Sequence, residues 1–228
     1  ICHVPNLNEL IETVDMLLKD NGTFVFEEPY LGSMFEKVSY DQIYDEHIYM
    51  FSASSVSKIF RKFNFELIDV LPQSTHGGSM RYVIQRKKNP ISSNVKKVID
   101  YEISKKLDRI ESCLDFKSDC ENSKNKLLEK INLFKKQGKS ICGYAATSKS
   151  TTILNYCKIG FDQIDYICDT TIEKIGKFSP GMHIPIKDMD HFYNNQTECA
   201  YLFAWNHKNE IFNKEKDFKG TWFSHVEL

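Results

Sequence analysis

The sequence predicts an α/β protein in two lobes. Three observations carry that reading. Around residues 7–26, apolar residues at helical spacing are followed by a glycine turn and a short apolar strand. After residue 140 the pattern of strand, small-residue turn and helix returns. Such helix–strand steps are the repeating unit of an open α/β sheet. Between the lobes, residues 91–136 are lysine-rich, with apolar residues at wider intervals. At 228 residues, the chain is long enough for two modest domains.

Taken in order, residues 1–5 read as the end of a buried strand running into a loop. Asn6 or Asn8 can cap the next helix, because a short polar side chain satisfies free backbone N–H groups there. Leu7, Leu10, Ile11, Val14, Leu17 and Leu18 form its apolar stripe. Asp20-Asn21-Gly22 is expected to end it, glycine tolerating the left-handed position past a helix. Residues 23–26 are a short strand, stopped by Glu27-Glu28-Pro29. Ser52 or Ser54 caps a second helix, striped by Val56, Ile59, Phe60 and Phe63. Residues 66–70 and 80–85 are strands of an antiparallel hairpin, joined by the turn-rich 72–78. Val95, Val98, Ile99 and Ile103 mark one helix of the lysine-rich segment. Phe116, Cys120, Leu127, Ile131 and Phe134 mark another, ended by Gly138. In the second lobe, residues 140–144, 164–168 and 200–204 read as strands. Residues 150–157 and 210–218 read as helices, and 221–226 as a final strand.

Composition narrows the function classes. With 41% hydrophobic and 27% charged residues, the chain is an ordinary globular one. A net charge of −1 gives no field favouring nucleic acid or an anionic membrane. No run approaches the roughly 20 apolar residues that span a bilayer, and no signal peptide is visible. The chain opens at Ile1 in the middle of a pattern, so an upstream part is expected. The seven cysteines are odd in number and form no C-x-x-C pair. Cys142 and Cys168 sit in apolar runs, where cysteine behaves as a small hydrophobe. A reduced, cytoplasmic chain without a zinc site of its own is expected, with disulfides the alternative.

The densest chemistry lies in residues 39–52, which bring together Tyr40, Asp41, Tyr44, Asp45, Glu46, His47 and Tyr49. Phenol, carboxylate and imidazole are the groups that move protons. The stretch follows a strand, and in an open α/β sheet the loops after strand ends face the ligand crevice. His47 is either a general base, for which a neutral imidazole suits pH 7, or a capping or surface histidine. Glu46 and His47 are neighbours and so point different ways; they are not an automatic dyad. His3, at the end of the preceding strand, could meet His47, or could be a hydrogen-bonded structural residue. Gly143-Tyr-Ala-Ala-Thr-Ser-Lys-Ser joins a strand to a helix. Thr147, Ser148, Lys149 and the free helix N–H groups suit a diphosphate, or simply cap the helix. The spacing is not that of a Walker loop. His183 lies in the rigid turn Ser-Pro-Gly-Met-His-Ile-Pro, and Asn206 follows a buried strand, again at a crevice edge.

Taken together, these motifs resemble a known family. Cys2-His3-Val-Pro-Asn, Phe-Glu-Glu-Pro-Tyr-Leu, Tyr40-Asp-Gln-Ile-Tyr-Asp-Glu-His47, His76-Gly-Gly-Ser, Gly143-Tyr-Ala-Ala-Thr-Ser-Lys-Ser-Thr-Thr-Ile-Leu-Asn155, Ser-Pro-Gly-Met-His-Ile-Pro-Ile186 and Ala-Trp-Asn206 occur in this order in the sugar C-methyltransferases. The resemblance covers essentially the whole chain. It implies a partial class I, Rossmann-like methyltransferase sheet over residues 1–89, bridging helices over 90–137, and a second Rossmann-like α/β domain over 138–228. It implies an S-adenosylmethionine-dependent methyltransferase acting alpha to the keto group, at C3, of a nucleotide-linked 4-keto deoxysugar. By position, His47 resembles the family's general base, Tyr44 and Glu46 its active-site neighbours, and His3 a further active-site histidine. Thr147, Ser148, Lys149, His183 and Asn206 would bind the nucleotide-diphosphate sugar. The resemblance puts the main cofactor loop and a zinc-binding domain upstream of this segment, so the segment alone is not expected to turn over. A monomer is expected. Many relatives carry Gly-Tyr-Gly where this chain has Gly143-Tyr144-Ala145. Two other readings stay open: a catalytically silent nucleotide-sugar-binding module, and a methyltransferase acting on another carbonyl compound.

Overall fold

The computed structural model describes residues 1–86, 89–195 and 197–227. Lys87 and Lys88, at the expected edge of the first segment, lie outside the described residues. The chain divides into two units, Ile1–Glu36 with Asp45–Lys117 and Lys37–Tyr44 with Ser118–Leu228. The acidic-aromatic stretch is therefore cut in two: its first part belongs to the second unit and its remainder to the first.

The first unit opens on α1 (Leu7–Leu17), capped by Asn6, whose side chain accepts the Glu9 N–H. The helix ends at Leu18 in an extended conformation. Gly22 does not take the left-handed position expected of it. A Cβ there would come 2.7 Å from the tip of the Leu18 side chain and 3.0 Å from the Lys19 carbonyl, so the turn is tight at this position. β1 (Thr23–Pro29), α2 (Leu31–Lys37), α3 (Ala53–Arg61), β2 (Phe65–Gln73), β3 (Ser79–Arg86) and α4 (Ser93–Ser104) follow. The sheet order is β1-β3-β2. β3 pairs antiparallel with both neighbours, Phe26 opposite Tyr82 and Leu67 opposite Ile84. β1 and β2 therefore run the same way, connected through α3, while the hairpin return inserts a reversed strand between them. Phe26, Leu67, Tyr82 and Ile84 pack with Ile11 of α1 and Val56 and Phe60 of α3 into one core.

Residues 1–5 are not the strand end that the sequence suggests. The Cys2 N–H goes to the buried Glu28 carboxylate, and the Cys2 carbonyl accepts from Ile48 and Tyr49. With both backbone groups taken, no ladder partner remains for it.

α4 packs on this unit, with Val95 in its core. Its Glu102 is 2% exposed. The carboxylate accepts the Ala53 and Ser54 N–H groups at 2.7 and 2.8 Å and the Tyr30 hydroxyl at 3.0 Å. It thus meets the positive end of α3, which Ser52 and Ser55 also cap reciprocally. Glu102→Ala would leave those donors buried without an acceptor. It should lower unfolding stability by about 3 kcal/mol in a urea titration, and Glu102→Gln by about half as much.

α5 (Ile110–Lys136) belongs to the second unit from Ser118 on, where it lays Cys120, Leu127, Ile131 and Phe134 inward and is stopped at Gly138, φ +74°. Then come β4 (Ile141–Tyr144), α6 (Ser148–Cys157), β5 (Tyr166–Cys168), β6 (Ile186–Lys187), α7 (Met189–Asn194), β7 (Cys199–Leu202), α8 (Lys208–Lys214) and β8 (Thr221–Phe223). The strands form a sheet in the order β6-β5-β4-β7-β8, and every pair is parallel. The chain lays strands to one side of β4, then returns to lay them on the other. That reversal makes the gap between the β4 and β7 carboxyl ends a topological switch point, where doubly wound sheets hold ligands. No helix among the described residues is long and apolar enough to cross a membrane.

Candidate functional site

In the first unit, the chain brings His3 and His47 face to face. Their ring centroids are 5.2 Å apart and their planes 26° from parallel. The contact follows from the backbone, since Ile48 and Tyr49 donate to the Cys2 carbonyl at 3.0 and 3.3 Å. The Tyr49 hydroxyl then ties to the Pro5 carbonyl at 3.1 Å. His47 is half-buried and His3 exposed, so the pair opens to solvent on one side. Two imidazoles in contact can accept a proton on one ring and donate from the other. Glu46 is exposed on the turn just before His47, its carbonyl accepting the Ile48 N–H. Tyr44 is half-buried and closes the segment that belongs to the second unit.

In the second unit, the switch point gathers part of the expected set. The Lys149 ammonium lies 3.2 Å from Asn206 Oδ1 and 4.8 Å from the Trp205 ring centroid. Lys149 is buried, and burial pushes its ammonium pKa down against the pull of Asp41. It is a packed cation held by internal partners. Thr147 caps α6 by accepting the Ser150 N–H, and Ser148 is exposed at the first position of that helix. The Ala145 and Ala146 N–H groups are already used, on Cys168 O at 2.8 Å and Asp169 Oδ2 at 2.7 Å. An anion at this turn would therefore meet the chain from Thr147 onward. Ala145 holds φ +74°, a conformation that favours glycine. Ala145→Gly should raise stability by about 0.5–1 kcal/mol by thermal or urea unfolding.

His183 does not join this group. It is exposed and three residues before β6, so it sits at the amino end of a parallel sheet whose carboxyl ends form the crevice. The Pro180-Gly181 turn docks instead against Asn155 near the end of α6.

The sequence reading missed a buried polar network beside Lys149. Asp41 is fully buried, and its Oδ2 accepts the Trp205 indole N–H at 2.7 Å. His225 Nε2 lies 3.2 Å from Asp41 Oδ1. The other ring nitrogen, Nδ1, is 2.8 Å from the Tyr201 hydroxyl. Burial alone would raise the Asp41 carboxyl pKa. The His225 contact, the Lys149 charge and the Trp205 N–H outweigh it and hold the group below the ordinary carboxylate range. Tyr40, one residue earlier, packs on Tyr156 and His225 and meets Cys157 Sγ at 3.6 Å. Residue pattern hid it: residues 221–226 read as one strand with His225 inside, whereas β8 stops at Phe223 and leaves His225 just past the strand end.

The family model described as a C-methyltransferase C-terminal domain matches residues 74–225, well over half of the chain. The chain belongs to that C-methyltransferase family. A methyltransferase-domain model matches residues 1–70, the part that carries His3 and His47. The C-methyltransferase NovU of Streptomyces niveus is 28% identical over 218 residues, which is 95% of this chain and 52% of that protein. The chain thus spans about half the length of the curated relative it matches. In this C-methyltransferase chain, the stacked imidazoles lie in the methyltransferase-domain part and the parallel sheet in the C-terminal part.

Proposed function

We propose that the protein containing this chain is an S-adenosylmethionine-dependent C-methyltransferase that methylates C3 of a nucleotide-linked 4-keto deoxysugar. His47 is the general base. The observation that carries the reading is the His3–His47 pair at 5.2 Å, in a chain of the C-methyltransferase family. A proton alpha to a ketone is too weak an acid to leave unaided at neutral pH. A base must take it while a donor stabilises the developing enolate oxygen. His47 removes the proton. Protonated His3, or the Tyr44 phenol, donates to the oxygen, and Glu46 lines the approach. Unit 2 holds the nucleotide diphosphate near its switch point, through Ser148 and the start of α6, with Thr147, Lys149 and Asn206 shaping the turn. His183, at the opposite end of that sheet, drops out of the substrate-binding set.

S-adenosylmethionine supplies the electrophilic methyl group. In the first unit, β1 passes to α2 through Tyr30 alone, without a glycine-rich turn. No described residue is therefore assigned to the donor, whose seat, like the family's zinc domain, we place upstream. We further place the enzyme in the cytoplasm, as a monomer, in deoxysugar biosynthesis.

The test uses the full-length protein in deuterium oxide without methyl donor. Proton NMR of a nucleotide 4-keto deoxysugar should show loss of the C3 proton signal, catalysed by the protein. Binding of the sugar nucleotide with no exchange above background would favour a silent binding module. Exchange confined to a different carbonyl compound would move the substrate assignment.

A further inference from the structure

The geometry points to a divalent transition-metal site, for zinc, formed by Cys2, His3 and His47. Cys2 Sγ and one ring nitrogen from each histidine all lie within 4.8 Å of one another. Zinc binds imidazole nitrogen at about 2.0–2.1 Å and thiolate sulfur at about 2.3 Å, which sets tetrahedral ligand atoms roughly 3.3–3.7 Å apart. Side-chain rotation of about an ångström closes the present triangle to that size.

The scaffold under the triangle is already tied. Cys2 and His3 are adjacent, and the residues after His47 bond back to the Cys2 carbonyl through Ile48 and Tyr49. The Cys2 N–H is anchored on the buried Glu28 carboxylate at 2.9 Å. Three ligands thus come from two short segments fixed to each other, which lowers the ordering cost of chelation. The ligand set is chemically selective. One thiolate and two imidazoles suit zinc and disfavour magnesium or calcium, which want oxygen. Cys2 is buried beneath, while exposed His3 leaves the outer side open for a water as fourth ligand. On binding, the Cys2 thiol releases its proton to solvent and no electron moves.

The site shares His47 with the proposed base. Its functional consequence, reversible inhibition by zinc, rests on that reading; the binding itself does not. A metal on the His47 lone pair leaves no base for the substrate proton.

The test is titration of the chelator-treated chain with zinc against a chromophoric competitor, repeated with cobalt(II) as a spectroscopic probe. One equivalent should bind, with a thiolate-to-cobalt charge-transfer band. Cys2→Ala and His3→Ala should each weaken binding at least tenfold, and Cys2→Ala should abolish the charge-transfer band. Cys113→Ser, which removes the exposed cysteine, should change neither. His3 is exposed, so His3→Ala gives a folded variant even if the core position 2 does not tolerate change. Affinity unaffected by His3→Ala, or lost in Cys113→Ser, overturns the site. In the full-length protein, zinc should suppress C3-proton exchange in the wild type and not in Cys2→Ala. Metal binding without any wild-type exchange would sink the base reading and leave the site standing; exchange without metal binding would do the reverse.

Discussion

His47→Asn should slow C3-proton exchange and methyl transfer by the full-length protein by about 10²–10⁴-fold, the range for losing a positioned general base. The two rates should fall together, because a substrate that keeps its proton never becomes nucleophilic. Affinity for the sugar nucleotide should stay within a few-fold, since the proposed role is confined to the transition state. Stability should move by less than about 1 kcal/mol, as His47 is half-buried at the end of a turn. His3→Gln is the informative companion. If His3 donates to the enolate oxygen, it should cost about 10²–10³-fold, and the double variant should be little worse than His47→Asn alone, since both act on one step. Circular dichroism and single-turnover exchange on the same samples check fold and chemistry together. Exchange by His47→Asn at near wild-type rate would remove the base assignment.

Local chemistry made the ordered elements legible. Asn6, Ser52 and Thr147 cap their helices because a short oxygen-bearing side chain before an apolar stripe has little else to do. The hairpin was legible too, since turn residues separated two apolar runs. The meeting of His3 and His47 was one of two readings, argued from strand ends converging, yet residues 1–5 form no strand. The Cys2 carbonyl brings them together instead, and backbone bonds between distant loops leave no mark in residue pattern. β6 is two residues long, too short to show alternation, so nothing signalled which end of the sheet His183 would occupy. The acidic-aromatic stretch misled in a more instructive way. Read as one cluster, it is split between units, and Asp41 and Tyr40 are interior residues of the second one. A buried carboxylate and a surface one look alike in sequence. What distinguishes them is a partner such as Trp205, 164 residues away.

That partnership sets the other large expected effect. Asp41→Ala should destabilise the second unit by about 3–5 kcal/mol, the cost of removing one member of a buried charged pair. The loss exceeds that of one hydrogen bond because the deletion strands three groups at once. The Trp205 N–H loses its acceptor, and His225 Nε2 loses the carboxylate oxygen 3.2 Å from it. Lys149, whose ammonium burial already disfavours, loses the carboxylate that opposes that shift. Asp41→Asn keeps an oxygen for the indole while removing the charge, and should cost about half as much. Trp205 is one of two tryptophans, so its fluorescence should shift when its N–H is released, reporting the site directly. The acid side follows from linkage. The folded carboxyl sits below its ordinary value, so its contribution is present at neutral pH and is lost only as pH falls from about 4 through the lowered value. Wild type should therefore lose stability more steeply than Asp41→Asn in that acidic window. Parallel curves throughout would mean that Asp41 is held in the fold as a neutral acid, and the ion-pair account of this network would fail.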